Sequence, residues 1–553
     1  MPRSRARAAA VAALLVLPPT AHAQQQTFTR ADSLQGSYTS PGRVWWDVLR
    51  YDLDVRVDPQ TRTFSGSNRL AFRVLEPGRE LQIDLMEPLV MDSVVLDGAR
   101  LPVRREGAAH FVTPARPLRA GAVETLTAFY HGEPREAPMP PWDGGVTWAA
   151  DSLGRPWIAT TDQGLGASVW WPVKDTQADE PDQGMRIAVT VPDPLIAVAN
   201  GRLTDRSSHD DGTTTWRWSV SSPINTYGVA LAIGHYVTYA DTLQGEAGPL
   251  SLDFWPLDYR LADARRQFPQ AATTLQCFEG WFGPYPWYED GFKLVETPYL
   301  GMEHQSAIAY GNRYGNGYLG TDLSGTGLGL QWDYIIVHEI AHEWWGNHVS
   351  TKDIADMWVH EGFGTYAEGL YMECIAGPEA GATYLRGLRA NIENDRPIIG
   401  PYGVYTEGSG DMYFKGAQML HTIRQVLDDD ARWREILRGI QATFGGGTVR
   451  GWEVEEYMTR EAGIDLGPIF DQYLRTPQPP VLEWRRKGTT LEVRWADVVP
   501  GFDMPIALRL SDAGFTRVRP TERWQSAPLT LSDPSTFAVD PDWYVLVREA
   551  ADR

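Results

Sequence analysis

Two histidines four residues apart, His338 and His342, and one glutamate after eighteen intervening residues, Glu361, constrain this chain more than any other feature. In an α-helix, residues four apart stand on one face, about 6 Å between Cβ atoms. WDYIIVHEIAHEWWG reads as such a helix, ending near Gly346 as a left-handed C-cap. Both rings can then aim a nitrogen at one point. Glu339 lies about 100° further round the helix, so it misses that point yet reaches a water beside it. Beyond Asn347 the chain returns through WVHEGFGTYAEGLYMECIAG, a second helix. The gap suffices for a turn and an antiparallel return. Hydrolytic zinc sites use three protein ligands and leave one position open. His338, His342 and Glu361 are therefore expected to hold one Zn2+ per chain, with Glu339 as general base. For Glu368 two readings are open: a hydrogen bond to a ligand histidine from behind, or a solvent-facing carboxylate.

The surroundings are those of a multidomain α+β protein. A length of 553 residues suggests about three or four domains, and 43% apolar residues with 22 Trp and 23 Tyr can fill their cores. Residues 25–245 are mostly β: YDLDVRV, NRLAFRV, LQIDL, AVETLTAFY and MRIAVTV alternate or run apolar over strand length. The Pro-, Gly- and Trp-rich stretch 129–182 reads as a long structured loop that packs a surface or carries part of a site. Residues 246–477 are mainly helical. DARRQFPQAATTLQCFEGWFGPYP reads as one helix stopped at Gly283-Pro284, and the glycine-laden stretch 311–330 as a loop, either a site edge or plain surface. TPQPP at 476–480 is a break, and residues 481–553 return to short strands. Trp344, Trp345, Trp358 and Phe363 read as packing around the histidine and glutamate helices.

The first residues, MPRSRARAAAVAALLVLPPTAHAQQ, have a basic start, a short apolar run and the small-x-small site AHA. They read as a secretory signal over residues 1–23, cut after Ala23, and imply a periplasmic or extracellular protein. Ten apolar residues are too few for a stable membrane span, and no later run is long and apolar enough. A formal net charge of -21 without clustered Lys or Arg excludes a nucleic-acid surface. The two cysteines, Cys277 and Cys374, both lie in helical stretches; a bridge and buried free thiols are both open.

HEIAHEWWGN–x13–EGFGTY resembles the zinc aminopeptidases of the aminopeptidase N family, which also includes a leukotriene epoxide hydrolase with peptidase activity. The resemblance spans residues 25–553. It implies an N-terminal β saddle domain (25–245), a thermolysin-like, mostly helical catalytic domain (246–477) and a small C-terminal β-sandwich-like domain (481–553). The large helical domain that many members add is not expected. By the same resemblance, His338, His342 and Glu361 are the zinc ligands and Glu339 the general base. The family's GxMEN motif matches LGMEH, Leu300 to His304. Glu303 would grip the substrate amino terminus, with Gly301, Met302 and His304 lying alongside the substrate. Gln163, nine residues before Pro172, would help hold the amine, and Tyr413 in MYFKG would be the oxyanion tyrosine. Two positions depart from the pattern. Leu300 replaces a glycine, which narrows the site, and His304 replaces an asparagine, which introduces a titratable donor. The expected activity is hydrolysis of the first bond of peptides with a free N-terminus. An epoxide or ester hydrolase on the same zinc site is the enzymatic alternative. A non-catalytic, zinc-stabilised peptide-binding protein is the other, and Glu339 and Tyr413 speak against it because neither is needed to hold metal.

Overall fold

The structure is a computed structural model, and it describes residues 27–550 apart from Arg79. The signal expected over residues 1–23 lies outside them. The first unit is built on a long antiparallel pair, Trp46–Asp58 with Thr63–Val74. Along Trp46–Asp58 the residues Tyr51, Leu53, Val55 and Val57 face inward and Asp54 and Arg56 outward, the period-2 pattern of a half-buried strand. Met185–Pro192 pairs parallel to this strand, and eight strands in all form the large sheet. Its inner face covers Trp170 and Trp171, both fully buried, with Tyr51 edge-on to Trp171 at 5.1 Å.

The stretch 129–182 is not all loop. It contains the hairpin Gly145–Ala150/Pro156–Thr161, which joins Ile196–Ala199 and Leu231–Gly234 in a second, four-stranded sheet. Residues 158–161 are buried on both faces, so no polar alternation marks the strand.

The second unit opens on a five-stranded sheet in the order Tyr239–Gly245, Gly248–Trp255, Phe292–Glu296, Ile308–Tyr310, Gly301–Met302. Tyr239–Gly245, before the break expected at 245, pairs into this sheet. The helix expected across 263–282 is divided into Leu261–Gln267 and Gln270–Phe282, because Pro269 between them has no N–H to donate. Two further helices, Pro378–Leu388 and Gly467–Arg475, have proline in the first turn. Proline is tolerated there, since the first-turn N–H has no intrahelical partner to lose. A disulfide joins Cys277 in Gln270–Phe282 to Cys374 in Trp358–Ala376, which decides between the bridge and the free thiols.

After the break at 476–480, a four-stranded sheet and the hairpin Ile506–Ser511/Gly514–Val518 enclose Leu491, Trp495, Phe502 and Leu508. Two β units thus flank a helical core. No helix among the described residues is long and apolar enough to cross a membrane.

Candidate active site

The histidine helix, Tyr334–Ala341, begins at Asp333, whose carboxylate accepts the Ile335 amide at 3.2 Å. The same carboxylate accepts the Tyr310 hydroxyl at 2.6 Å and Asn312 Nδ2 at 2.7 Å, so the helix start is tied to the sheet and to the glycine-rich loop. Regular helix ends at Ala341, not near Gly346. Tight turns follow, with the Glu343 amide on Ile340 and the Asn347 amide on the His342 carbonyl. His342 keeps helical backbone angles, so the four-residue spacing from His338 still places both rings on one side. Beyond the turn, Trp345 stacks on Phe363 of the helix Trp358–Ala376 at 3.9 Å and 9°. Trp344, Trp345, Trp358 and Phe363 are all fully buried.

His338, His342 and Glu361 offer ligand atoms that all lie within 4.8 Å of one another, and all three residues are buried. The two Nε2 atoms are 3.2 Å apart. Glu361 Oε2 is 3.6 Å from the first and 3.4 Å from the second, and it has no hydrogen-bond partner. A tetrahedral ion with Zn–N and Zn–O bonds of about 2.0–2.1 Å has ligand–ligand edges of about 3.3–3.4 Å. The Nδ1 atoms fix the tautomers. His342 Nδ1 donates to the Trp345 carbonyl at 2.8 Å, and His338 Nδ1 donates to Glu368 Oε1 at 2.7 Å. Both Nε2 lone pairs therefore converge with a carboxylate oxygen on one point, which only a cation relieves. The donor set fits zinc. Burial acts to lower the histidine pKa values, but the carboxylates around them outweigh it and hold His338 well above the ordinary range and His342 at about 9. The pocket attracts positive charge.

A cavity of about 440 Å³ opens over this cluster. Glu339 lines it from the histidine helix and Tyr413 from the start of the helix Phe414–Leu427. The Tyr413 ring lies 6.2 Å from that of His338. Burial and the charge of Glu361 raise the Tyr413 pKa, so its hydroxyl stays a neutral donor. Burial pushes the Glu339 carboxyl up to about 8. The edge strand Gly301–Met302 forms another wall. A Cβ on Gly301 would stand 2.8 Å from Glu339 Oε1 and 2.7 Å from Ile335 Cγ2, so only glycine allows this approach. Leu300 sits on the same wall. Glu303 is buried, lines the cavity and keeps Oε1 without a partner; Gln163 lines it from the opposite unit. Tyr318 and Leu323 make the 311–330 loop an edge of the cavity.

His304 differs from the expectation. Its ring does not line this cavity but points into a separate void of about 10 Å³ among Val198, Ala230 and Tyr299. It follows Glu303 just beyond the edge strand, yet only Glu303 lines the cavity. Burial pushes its pKa down to about 3, so it is a neutral core histidine.

Three residues around the site escaped the sequence reading. Glu343 accepts the Ser306 amide at 2.9 Å and Trp287 Nε1 at 2.8 Å. Ser306 has φ 55, a left-handed turn that this contact pins. Asn347 Nδ2 donates to the Glu303 carbonyl at 2.8 Å. The turn after His342 thus holds the Glu303 backbone. Tyr384 donates to Glu368 Oε2 at 2.6 Å. Glu343 and Asn347 flank an apolar Trp-Trp pair, and a polar residue in such a run needs a buried partner.

Comparisons with known proteins agree with this geometry. Residues 267–473 match the peptidase family M1 domain. Rat aminopeptidase B is 25% identical over 506 residues, covering 81% of this chain and 72% of its own length. Aminopeptidase N of Streptomyces lividans is 23% identical, covering 78% of this chain and 50% of its own. An M1 zinc metallopeptidase of Deinococcus radiodurans superposes with a TM-score of 0.68 at 23% identity, over 81% of this chain and 98% of that one. The fold and the His-His-Glu cluster define a zinc metallopeptidase. The chain's similarity is to the M1, aminopeptidase N-like enzymes, and the family match covers residues 267–473.

Proposed function

We propose that this protein is a zinc-dependent aminopeptidase that removes the first residue from peptides with a free N-terminus. One observation carries the reading. The cavity above the His-His-Glu cluster presents the buried carboxyls of Glu303 and Glu339 and, among the described residues, no lysine or arginine. Such a wall suits one ammonium group beside a hydrolytic centre.

Zinc held by His338, His342 and Glu361 supplies a Lewis acid that lowers the pKa of water from 15.7 to about 7 and polarises a carbonyl oxygen. Glu339 accepts the proton of the attacking water and later delivers it to the leaving amine. Tyr413 donates its hydroxyl to the substrate oxygen as negative charge grows there. Glu303, with Gln163, holds the α-ammonium through charge-assisted hydrogen bonds. A blocked amine leaves the Glu303 carboxylate buried without a cation, which is costly and rejects internal bonds. The M1 metallopeptidase of Deinococcus radiodurans, whose structure was solved with a Tyr-Ser-Ala substrate, supports the peptide reading. We also propose export to the periplasm or beyond. The signal-like start and the Cys277–Cys374 bridge support it.

The test is a panel of amino-acid arylamides, free and N-acetylated, with and without a chelator, followed by zinc restoration. Hydrolysis of the free arylamides alone, lost on chelation and restored by zinc, is expected. Glu339→Gln should retain zinc and lose turnover, and Glu303→Ala should lose activity far more than His304→Ala. Hydrolysis of acetylated arylamides or of simple esters at equal rates would overturn the reading.

A further inference from the structure

The N-terminal arm, residues 27–38, touches two segments distant in sequence, one carrying Gln163 and the other leading to Tyr413, and both of these residues line the cavity. It contains the short helix Arg30–Gly36, started by a capping box between Thr29 and Asp32. On one side Gln35 donates Nε2–H to the Leu165 carbonyl at 3.1 Å, two residues beyond Gln163. On the other side Gly36 lies backbone against backbone on Val404 and Tyr405. A Cβ at Gly36 would stand 2.2 Å from the Tyr405 amide nitrogen. Val404 and Tyr405 belong to the segment 398–409, which runs through the turn Gly410–Met412 directly into Tyr413.

The arm is itself held firmly. Arg43, 1% exposed, donates Nη1 to the carbonyls of Gln35 and Ser37 at 3.1 and 3.0 Å, and Nη2 to Asp84 at 2.7 Å. Asp84 accepts the Asp175 amide at 3.2 Å, and Asp175 accepts the amides of Ala167 and Ser168 at 3.1 and 3.0 Å. One chain of hydrogen bonds therefore connects the arm to the Gln163 loop at a second point. Leu34 is the only apolar side chain of the helix that is buried, against Ala109 and Phe111. The arm adds little to a core; Arg30 pairs with Glu106 and the Leu34 carbonyl accepts Gln82 Nε2, while Gln35 reaches the Gln163 loop.

We infer that the arm is a positioning strap, in which Gln35 holds the Gln163 side of the cavity and Gly36 sets the place of the segment leading to Tyr413. What the two loops do in turnover rests on the aminopeptidase reading; the contacts themselves do not. Gln35→Ala frees the Leu165 carbonyl and loosens the hold on the substrate amine. KM for free arylamides should rise roughly three- to tenfold, the range of one neutral hydrogen bond, with kcat little changed. Gly36→Val pushes Val404 and Tyr405 outward and moves Tyr413. It should lower kcat on the order of tenfold to a hundredfold with KM little changed. Ser33→Ala, on the exposed side of the same helix, is the control and should change neither.

Hydrogen–deuterium exchange on the full-length variants gives a readout independent of activity. Exchange should rise in 162–168 for Gln35→Ala and in 398–409 for Gly36→Val, with zinc content and melting temperature retained. Unchanged exchange in both loops overturns the strap, as does a parallel loss of kcat, KM and melting temperature in both variants. If the unmodified protein hydrolyses no arylamide, the aminopeptidase reading fails, and the exchange data still decide the strap.

Discussion

Glu368 accepts the Nδ1–H of His338 at 2.7 Å and the hydroxyl of Tyr384 at 2.6 Å, both within a fully buried pocket. It orients the first zinc ligand from behind and fixes which nitrogen faces the ion. Removing such a partner typically costs 10- to 100-fold in metal affinity. Glu368→Ala is expected to weaken zinc binding by about that factor, measured by competition with a chromophoric chelator. Tyr384→Phe should have a smaller effect, because the carboxylate remains.

Tyr413 enters the cavity as a neutral donor, kept protonated by burial and by Glu361. Tyr413→Phe keeps the ring beside His338 and deletes only the hydroxyl. Loss of one oxyanion donor costs about 2.7–4 kcal/mol of barrier, so kcat should fall on the order of 100- to 1000-fold. Zinc content should be unchanged. Steady-state kinetics with metal analysis on the same sample checks both.

Apart from Glu303, Glu339, Glu361 and the two ligand histidines, the cavity wall is uncharged, with Trp142, Leu300, Met302, Tyr318, Leu323 and Phe414 contributing apolar surface. Large apolar first residues are expected to be preferred, and a first aspartate or glutamate to be rejected by the three carboxylates. The ratio of kcat/KM across a panel of first residues measures this directly. Leu323→Glu should raise the relative rate for a first arginine or lysine.

His304 is neutral and buried, with its pKa pushed down to about 3 against about 6.5 in an unfolded chain. Between these values the unfolded chain binds the proton and the folded chain does not. The stability tied to His304 is therefore full above pH 6.5 and is lost as pH falls toward 3, at up to roughly 1.4 kcal/mol per pH unit. His304→Asn should flatten the acid limb of a stability–pH curve from urea unfolding, so that the gap between variant and parent narrows as pH drops.

The Cys277–Cys374 bridge spans 97 residues and ties two helices that flank the zinc cluster. Replacing both cysteines by serine is expected to destabilise the protein by about 2–4 kcal/mol, read from urea unfolding with and without reductant. Zinc affinity should follow, because the bridge anchors the helix that carries Glu361 and Glu368.

The chemistry was largely written in local spacing. Four residues on a helix place His338 and His342 side by side whatever surrounds them, and the strands of the first unit carried their own period of two. Tertiary structure decided the rest. His304 and Glu303 are neighbours in sequence, yet only Glu303 reaches the cavity, because the packing around the edge strand gives His304 a separate void among Val198, Ala230 and Tyr299. The stretch read as one helix across 263–282 is divided at Pro269, which has no N–H to donate within a helix. Asn347, Glu343 and Gln35 have no motif, because each acts through a backbone carbonyl or amide brought near by folding. Spacing along a helix is a local property of the chain. Contacts to backbone groups 37, 44 and 130 residues away exist only once the sheets and helices have packed.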